Sequence, residues 1–573
     1  MKKIKIISFL LFVVFFTFKI SAQDIEKMSQ SKPFTIHGGF GGGMNVYSSN
    51  EDRLTRDPFS WNLHGNLTPS FYGFSIPLSF SVTQFSKSYT TPFSRFGLSP
   101  TYKWAKLHLG YRSISFSPLV FDGESFLGVG TELNPGKFYF AGFYGRLNKA
   151  ISEDTTLDRH IEPQYARKGY GLKIGLKEEK KEIYLQYFNA KDDVASINRY
   201  DDTLSSVNPE SNNIIGTSWR FKILEFLDFS GDVALSAWNR DMRYGGVDSI
   251  GDELTPGYAR VLKIPVTNTS SLSWSGQAQL SANLSKLNLM LGYQRVEPDF
   301  KSLGIPYMLN DMEIINANAG SNFLNGKINV NAGFTTQRNN LRDMLSSTLT
   351  TKTGNFSTNA FVNQHVNLNA NVILAKIYQK DGLEKLSDST RMDQLMLTTV
   401  FTPSFNFFDE KKQHTISGNL SYTNLNDYNP LTTDQSSGKN INISSNYALF
   451  FLQKYFGLNG GVQYNTYLQK HSTYSSIGVN VGANAQVLKS KALSLQGSVG
   501  YFMNKASNSP AGNNTTFSFN ANYRTAKHHT FGFYTNYILT PPVNLNPLNN
   551  IYNVPYAVNS KMFSGGLNYS YNF

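Results

Sequence analysis

Residues 562–573 read MFSGGLNYSYNF. On an extended backbone, Phe563, Gly565, Leu567, Tyr569, Tyr571 and Phe573 fall on one face, and Ser564, Gly566, Asn568, Ser570 and Asn572 on the other. One face is apolar and aromatic, the other small and hydrogen-bonding. Such a strand belongs at a boundary between a greasy medium and a wet one.

The same alternation recurs upstream. Phe74, Ile76, Leu78, Phe80 and Val82 alternate with Ser75, Pro77, Ser79, Ser81 and Thr83. Leu287, Leu289, Leu291 and Tyr293 alternate with Asn288, Met290 and Gly292, and Ile477, Val479, Val481, Ala483 and Ala485 with Gly478, Asn480, Gly482 and Asn484. A period of two over about eight to twelve residues predicts strands long enough to cross a bilayer at a tilt. Their connections alternate in length. Short basic turns are expected at 103–106, 178–181, 285–286, 325–327, 411–412, 489–491 and 527–529, and longer, often acidic segments at 50–59, 151–167, 192–212, 241–270 and 381–392.

The two-faced final strand and the short-turn, long-loop grammar together resemble the outer-membrane β-barrels of Gram-negative bacteria. The resemblance holds at the level of the class. It implies that Phe563, Leu567, Tyr569, Tyr571 and Phe573 lie on the closing strand, which is recognised by the barrel-assembly machinery. It also implies contact with membrane lipid and lipopolysaccharide. The expected fold is all-β: one large antiparallel transmembrane barrel of about 22–26 strands over residues 34–573, with no separate plug domain. Residues 23–33 form a short periplasmic segment. Residues 1–22 read as a signal peptide, with Lys2, Lys3 and Lys5 ahead of an apolar run at 6–18 and small residues near Ala22.

Composition agrees with that expectation. Only 40% of residues are hydrophobic, as suits strands in which alternate side chains meet lipid, while 43 Phe and 32 Tyr could furnish aromatic girdles. The absence of cysteine excludes disulfides, thiolate metal sites and a lipidated N-terminus. Loss of Lys2, Lys3, Lys5 and Lys19 with the signal lowers the net charge from +13 to about +9. The basic residues gather in short turns rather than in an Arg/Lys stripe with interleaved aromatics, so no nucleic-acid partner is expected.

The inward residues of the predicted strands are largely Asn, Ser, Thr and Gly, as in Asn329, Asn331, Gly333 and Thr335. Neutral hydrogen-bonding walls favour water, sugars or peptide backbone over a strongly selected ion. His108, Arg112, Lys173, Arg220 and Lys222 are expected to point inward too, either as an anion-attracting patch or paired with carboxylates on adjacent strands. A barrel this wide needs its lumen gated, by an inward loop, with 241–270 the best candidate, or by a lipoprotein or periplasmic partner. The function expected is passage of a polar solute or polymer.

Two alternatives stand beside it. The first strand, with Gly38, Gly39, Gly41, Gly42 and Gly43, would pair across the barrel's closure with the last, which carries Gly565 and Gly566, and so glycine-rich a seam could open laterally in an export or assembly translocon. The other is a hydrolase at the rim, with His64 or His108 as conceivable bases. No metal-binding or nucleophile motif supports catalysis, and neither an enzyme nor a cofactor is expected.

Overall fold

The computed structural model describes residues 33–50, 57–84, 95–152, 163–197, 207–243, 267, 269–389, 391–488, 490–507, 512–525, 528–540 and 560–573. The predicted signal and nearly all of segment 23–33 lie outside them.

Strand follows strand: β1 (Thr35–Ser49), β2 (Phe59–Phe71), β3 (Phe74–Ser75), β4 (Leu78–Thr83), β5 (Arg95–Leu98), β6 (Thr101–Tyr102), β7 (Ala105–Arg112), β8 (Phe126–Leu133) and β9 (Phe138–Asn148). Then come β10 (Arg167–Lys177), β11 (Lys181–Asp192), β12 (Ser211–Leu224), β13 (Leu227–Asn239), β14 (Ser270–Asn283), β15 (Leu287–Val296), β16 (Met312–Phe323), β17 (Ile328–Arg338), β18 (Ser347–Asn363) and β19 (Val366–Asp381). The series ends with β20 (Asp393–Phe408), β21 (Lys412–Asp427), β22 (Gly438–Phe451), β23 (Phe456–Gln469), β24 (Thr473–Val487), β25 (Leu493–Ala506), β26 (Asn514–Arg524), β27 (His529–Thr540) and β28 (Ser560–Asn572). β3 and β4 are two pieces of one crossing, broken at Ile76–Pro77, and β5 and β6 of another, broken at Ser99–Pro100. The 28 segments therefore make 26 crossings. Proline has no N–H for the ladder, which explains why both breaks fall there.

Successive crossings pair antiparallel, and the sheet closes on itself. Eleven residue pairs, from Gly39 opposite Asn572 to Ser49 opposite Met562, join β1 to β28. Closure gives every strand two neighbours and leaves no edge to be solvated in lipid. For 26 strands spaced about 4.8 Å apart and tilted about 40°, the backbone diameter is on the order of 50 Å.

The two faces follow the alternation read from sequence. Outward residues such as Leu291, Val481, Val499 and Leu567 are large, apolar and exposed, which is intelligible only against acyl chains. At the closure Phe40 covers Tyr569, Tyr571 and Phe573, with ring centroids 5.5–6.4 Å apart. Among the described residues no helix is long and apolar enough to cross a membrane. The strands alone carry the crossing.

Buried side chains concentrate in one place, inside the barrel wall. Inward Phe126, Phe143, Phe188, Ile214 and Ala234 of β8, β9, β11, β12 and β13 pack against Phe116, Leu119, Val120 and Phe121 of the connection 113–125, and Phe300 and Leu303 of the connection 297–311. Both connections belong to the long-loop end. They turn into the lumen rather than away from it.

Candidate functional site

The two inward connections form one wedge against the wall from β8 to β13. Phe121 lies 4.4 Å from Phe143 and 5.2 Å from Phe188, centroid to centroid. Ser302 Oγ donates to the Val120 carbonyl at 2.7 Å, and the Asp122 N–H to the Gly304 carbonyl at 3.2 Å, so each loop holds the other. The wall supplies the remaining polar partners. Asn212, fully buried on β12, donates to the Lys301 carbonyl at 3.1 Å and accepts the Leu303 N–H at 3.2 Å, while Ser236 Oγ donates to Lys301 at 2.6 Å. A buried loop is tolerable only when its backbone groups are satisfied in this way.

Two glycines make the fit possible. A Cβ at Gly304 would stand 2.5 Å from the Phe121 ring and 2.9 Å from that of Phe188. One at Gly171 would stand 2.5 Å from Phe116 and 2.6 Å from Phe143. Both positions require hydrogen where the aromatic rings settle on backbone.

His108, Arg112, Lys173, Arg220 and Lys222 all share the inner-face register with the wedge residues. His108 Nε2 is 2.7 Å from Glu132 Oε1, and Lys106 Nζ is 3.0 Å from the same oxygen. Arg112 donates to Ser79 Oγ at 2.6 Å, to the Pro77 carbonyl at 3.1 Å and to the Gly97 carbonyl. Lys173 donates to the Phe116 carbonyl at 2.5 Å, tying the first loop to β10, and lies over the Tyr184 ring at 4.4 Å. Arg220 meets Glu182 at 3.2 Å, and Lys222 meets Glu225 in the adjoining short turn at 2.8 Å. Hydrogen bonds from Lys180 and then Lys222 hold the Glu225 carboxyl down at about 2. The five cations share one arc of wall, and each has a protein partner. Sequence reasoning missed Glu132, Glu182 and Ser99. Glu132 could have been found as a carboxylate on the polar face of a strand due to pair with the strand carrying Lys106 and His108.

Ser99, His108 and Glu132 form a line that resembles a hydrolytic triad in its membership. The Ser99 Oγ to His108 Nδ1 distance is 3.1 Å. In the serine-hydrolase arrangement Nε2 faces the nucleophile and Nδ1 the acid, the reverse of what is found here. His108 and Ser99 are only 2% and 5% exposed, so no substrate reaches the hydroxyl. The cluster secures the β5–β8 wall. His64, the other conceivable base, has Asn62 Oδ1 at 3.4 Å. Among the described residues no group of three or more His, Asp or Glu is placed to hold a metal ion.

The opposite wall is different. Cross-strand register puts Asn316, Asn318, Asn331, Asn355, Asn369 and Asn371 on the inner face of β16–β19. Asn442, Asn446, Asn465, Asn480 and Asn520 continue it over β22–β26. Among the described residues from β16 to β28, the only charged inward strand residues are Asp381, Asp427 and Arg524, each the last residue of its strand. One half of the lumen is charged, aromatic and covered by loops. The other is mostly amides and hydroxyls, with apolar residues such as Ile314, Ile373, Val400 and Phe502 interspersed.

The closure pairs the two glycine-bearing strands, but no glycine of one faces a glycine of the other. Gly39, Gly41 and Gly43 face Asn572, Ser570 and Asn568, while Gly566 and Gly565 face Asn45 and Val46; Gly38 lies one residue before this paired run, and its carbonyl accepts the Phe573 N–H at 2.8 Å. Tyr534 OH reaches over from β27 to Asn45 Oδ1 at 2.8 Å. Segment 241–270, the expected inward loop, lies mostly outside the described residues. Its described ends are bound near the rim, where Thr269 Oγ1 donates to Asn239 Oδ1 at 2.6 Å.

No family model matches the chain, and no curated protein matches it. Solved structures align with it only weakly. OccAB2 of Acinetobacter baumannii aligns at 11% identity over 64% of this chain and 93% of the other, with a TM-score of 0.30. The copper transporter OprC aligns at 8% identity over 93% and 81%, with a TM-score of 0.39. The FrpB iron transporter from Neisseria meningitidis aligns at 10% identity over 96% and 83%, with a TM-score of 0.36. At such scores these likenesses assign neither substrate nor activity. By its own strand geometry, a closed sheet with a greasy outside and a wet inside, the chain is an outer-membrane β-barrel protein.

Proposed function

We propose that the barrel passes polar, uncharged solutes or polymer segments across the outer membrane, along the neutral half of its lumen. The observation that carries this is the division of the inner wall. The wedge occupies the charged half, while the amide and hydroxyl groups of β16–β28 offer donors and acceptors that exchange with water, sugar hydroxyls or peptide groups at little net change in energy. Charges there would select ions.

The wedge is the inward gate in this proposal. It narrows the lumen of a barrel about 50 Å across its backbone, yet its described residues pack against the arc from β8 to β13. That leaves room for a lipoprotein or periplasmic partner, the second part of the proposal.

Flux into proteoliposomes tests the first part. Neutral oligosaccharides are expected to enter at rates that fall with size, with nearly equal permeability to potassium and chloride. Marked anion or cation selectivity, or exclusion of neutral sugars while ions pass, would overturn it.

A further inference from the structure

Beyond that function, the outer surface carries a cationic cluster that neither the barrel nor its passage requires. On β18 and β19, Lys352 stands directly opposite Lys376, and Thr348 opposite Lys380. Both lysine-bearing registers belong to the outward face, because they alternate with inward Asn355 and Asn371 and continue into outward Phe356 and Leu374. All three ammonium groups converge on one ring. The Nζ atoms of Lys352, Lys376 and Lys380 lie 5.8, 5.7 and 5.8 Å from the centre of Tyr378.

The cluster is not neutralised. Asp393 reaches Lys376 at 3.4 Å, and among the described residues no carboxylate lies within ion-pair distance of Lys352 or Lys380. The adjoining outward carboxylate, Glu313, does not reverse the balance, since it is already engaged by Arg338 at 2.6 Å and by Arg295 at 3.8 Å. Like charges directly opposite each other across a sheet repel, and a lipid face is an unfavourable place for them.

Their height on the barrel explains what would relieve this. β18 and β19 have 17 and 16 residues, so each rises about 40 Å at a tilt of about 40°, against an apolar band of about 25 Å. Lys352 is five residues inside the long-loop end of β18 and Lys376 five residues inside that of β19, about 13 Å below the strand tips. That is the boundary between acyl chains and outer-leaflet headgroups. Lysines there extend toward the headgroups, as their convergence on Tyr378, whose neighbour Tyr428 lies 5.6 Å from Lys376, already indicates.

We infer that Lys352, Lys376 and Lys380 form a binding site for a phosphate of lipid A, the phosphorylated glycolipid of the outer leaflet. Its acyl chains would lie along Phe356, Leu374 and their outward neighbours. The three ammonium groups supply charge-assisted donors, and Tyr378 fixes their spacing.

Native mass spectrometry of the detergent-solubilised barrel, titrated with bis-phosphorylated or with dephosphorylated lipid A, tests the site. The wild type is expected to bind the phosphorylated form preferentially. K352Q/K376Q/K380Q should weaken that binding roughly tenfold or more, and D393N should strengthen it. Should the triple variant not insert, K380Q alone, at the exposed strand end, is expected to weaken binding about threefold. Equal binding of the two lipids by the wild type, or an unchanged affinity in the lysine variants, would overturn the inference. So would inorganic phosphate binding as tightly as the lipid.

Discussion

The ring of Phe121, carried on a connection from the long-loop end, lies 5.2 Å from that of Phe188 on the barrel wall, and neither is exposed to solvent. A connection between strands is thereby made part of the interior. Truncating either ring removes a fully buried aromatic and leaves a cavity that the rigid sheet cannot close. Phe188→Ala is expected to destabilise the folded barrel by about 3 kcal/mol, measured by denaturant titration from detergent micelles. Phe356→Ala, on the lipid face, should have a clearly smaller effect.

Glu132 serves Lys106 and His108 together. Glu132→Gln leaves both cation-forming groups without their anion and is expected to destabilise the barrel by about 2 kcal/mol by the same titration. Ser99→Ala, which removes one hydrogen bond, should cost about 1 kcal/mol or less and leave solute flux unchanged. Loss of flux in Ser99→Ala with the fold intact would revive a chemical role for that cluster.

Acid should act first at the turns and loops. Glu225 titrates at about 2 instead of its ordinary 4.5 because of Lys180 and Lys222. Asp434 is lowered chiefly by its hydrogen bond from Lys470, and Asp409 by the N–H groups of Lys411 and Lys412. A carboxyl whose folded value is depressed contributes stability above its unfolded value and loses it as pH falls through the folded one. Stability should therefore be flat from neutral pH to about 4.5 and decline from there toward about 2. Glu225→Gln should flatten part of that decline in pH-resolved thermal unfolding.

Much of this architecture was legible in the chain. The alternation in residues 562–573 and its repetition fixed the outward and inward sets, and Asn329, Asn331, Gly333 and Thr335 occupy the inner face expected of them. Period two is strict in a barrel wall, because a shift by one residue would exchange lipid and water along the whole strand. The wedge was not legible by loop length, which pointed to 241–270. Its signal lay in composition: Phe116, Leu119, Val120 and Phe121 are apolar residues in a connection without strand periodicity. Such residues can neither face lipid in register nor remain in water, so the lumen is where they go. Which cation meets which carboxylate depended on strand pairing, as Arg220 and Glu182 illustrate, since only the register of β11 with β12 sets them opposite.

The closure offers a direct contrast between lumenal passage and lateral opening. Gly43 and Asn568 are paired across it, and a Cβ at Gly43 would meet chiefly the Asn568 side chain that the second substitution removes. In a chain without cysteines, Gly43→Cys with Asn568→Cys should oxidise cleanly to a disulfide. Sugar flux is expected to survive cross-linking. Its abolition, with restoration on reduction, would favour a seam that opens.

The most direct test of the wedge as gate is single-channel conductance in planar bilayers, comparing the wild type with a variant in which residues 113–125 are replaced by a short glycine linker. The variant, shown to be folded by its heat-dependent migration in gels, should conduct several-fold more than the wild type and admit larger neutral polymers. Equal conductance and equal polymer exclusion in the two proteins would mean that the wedge does not set the passage, and would contradict the account.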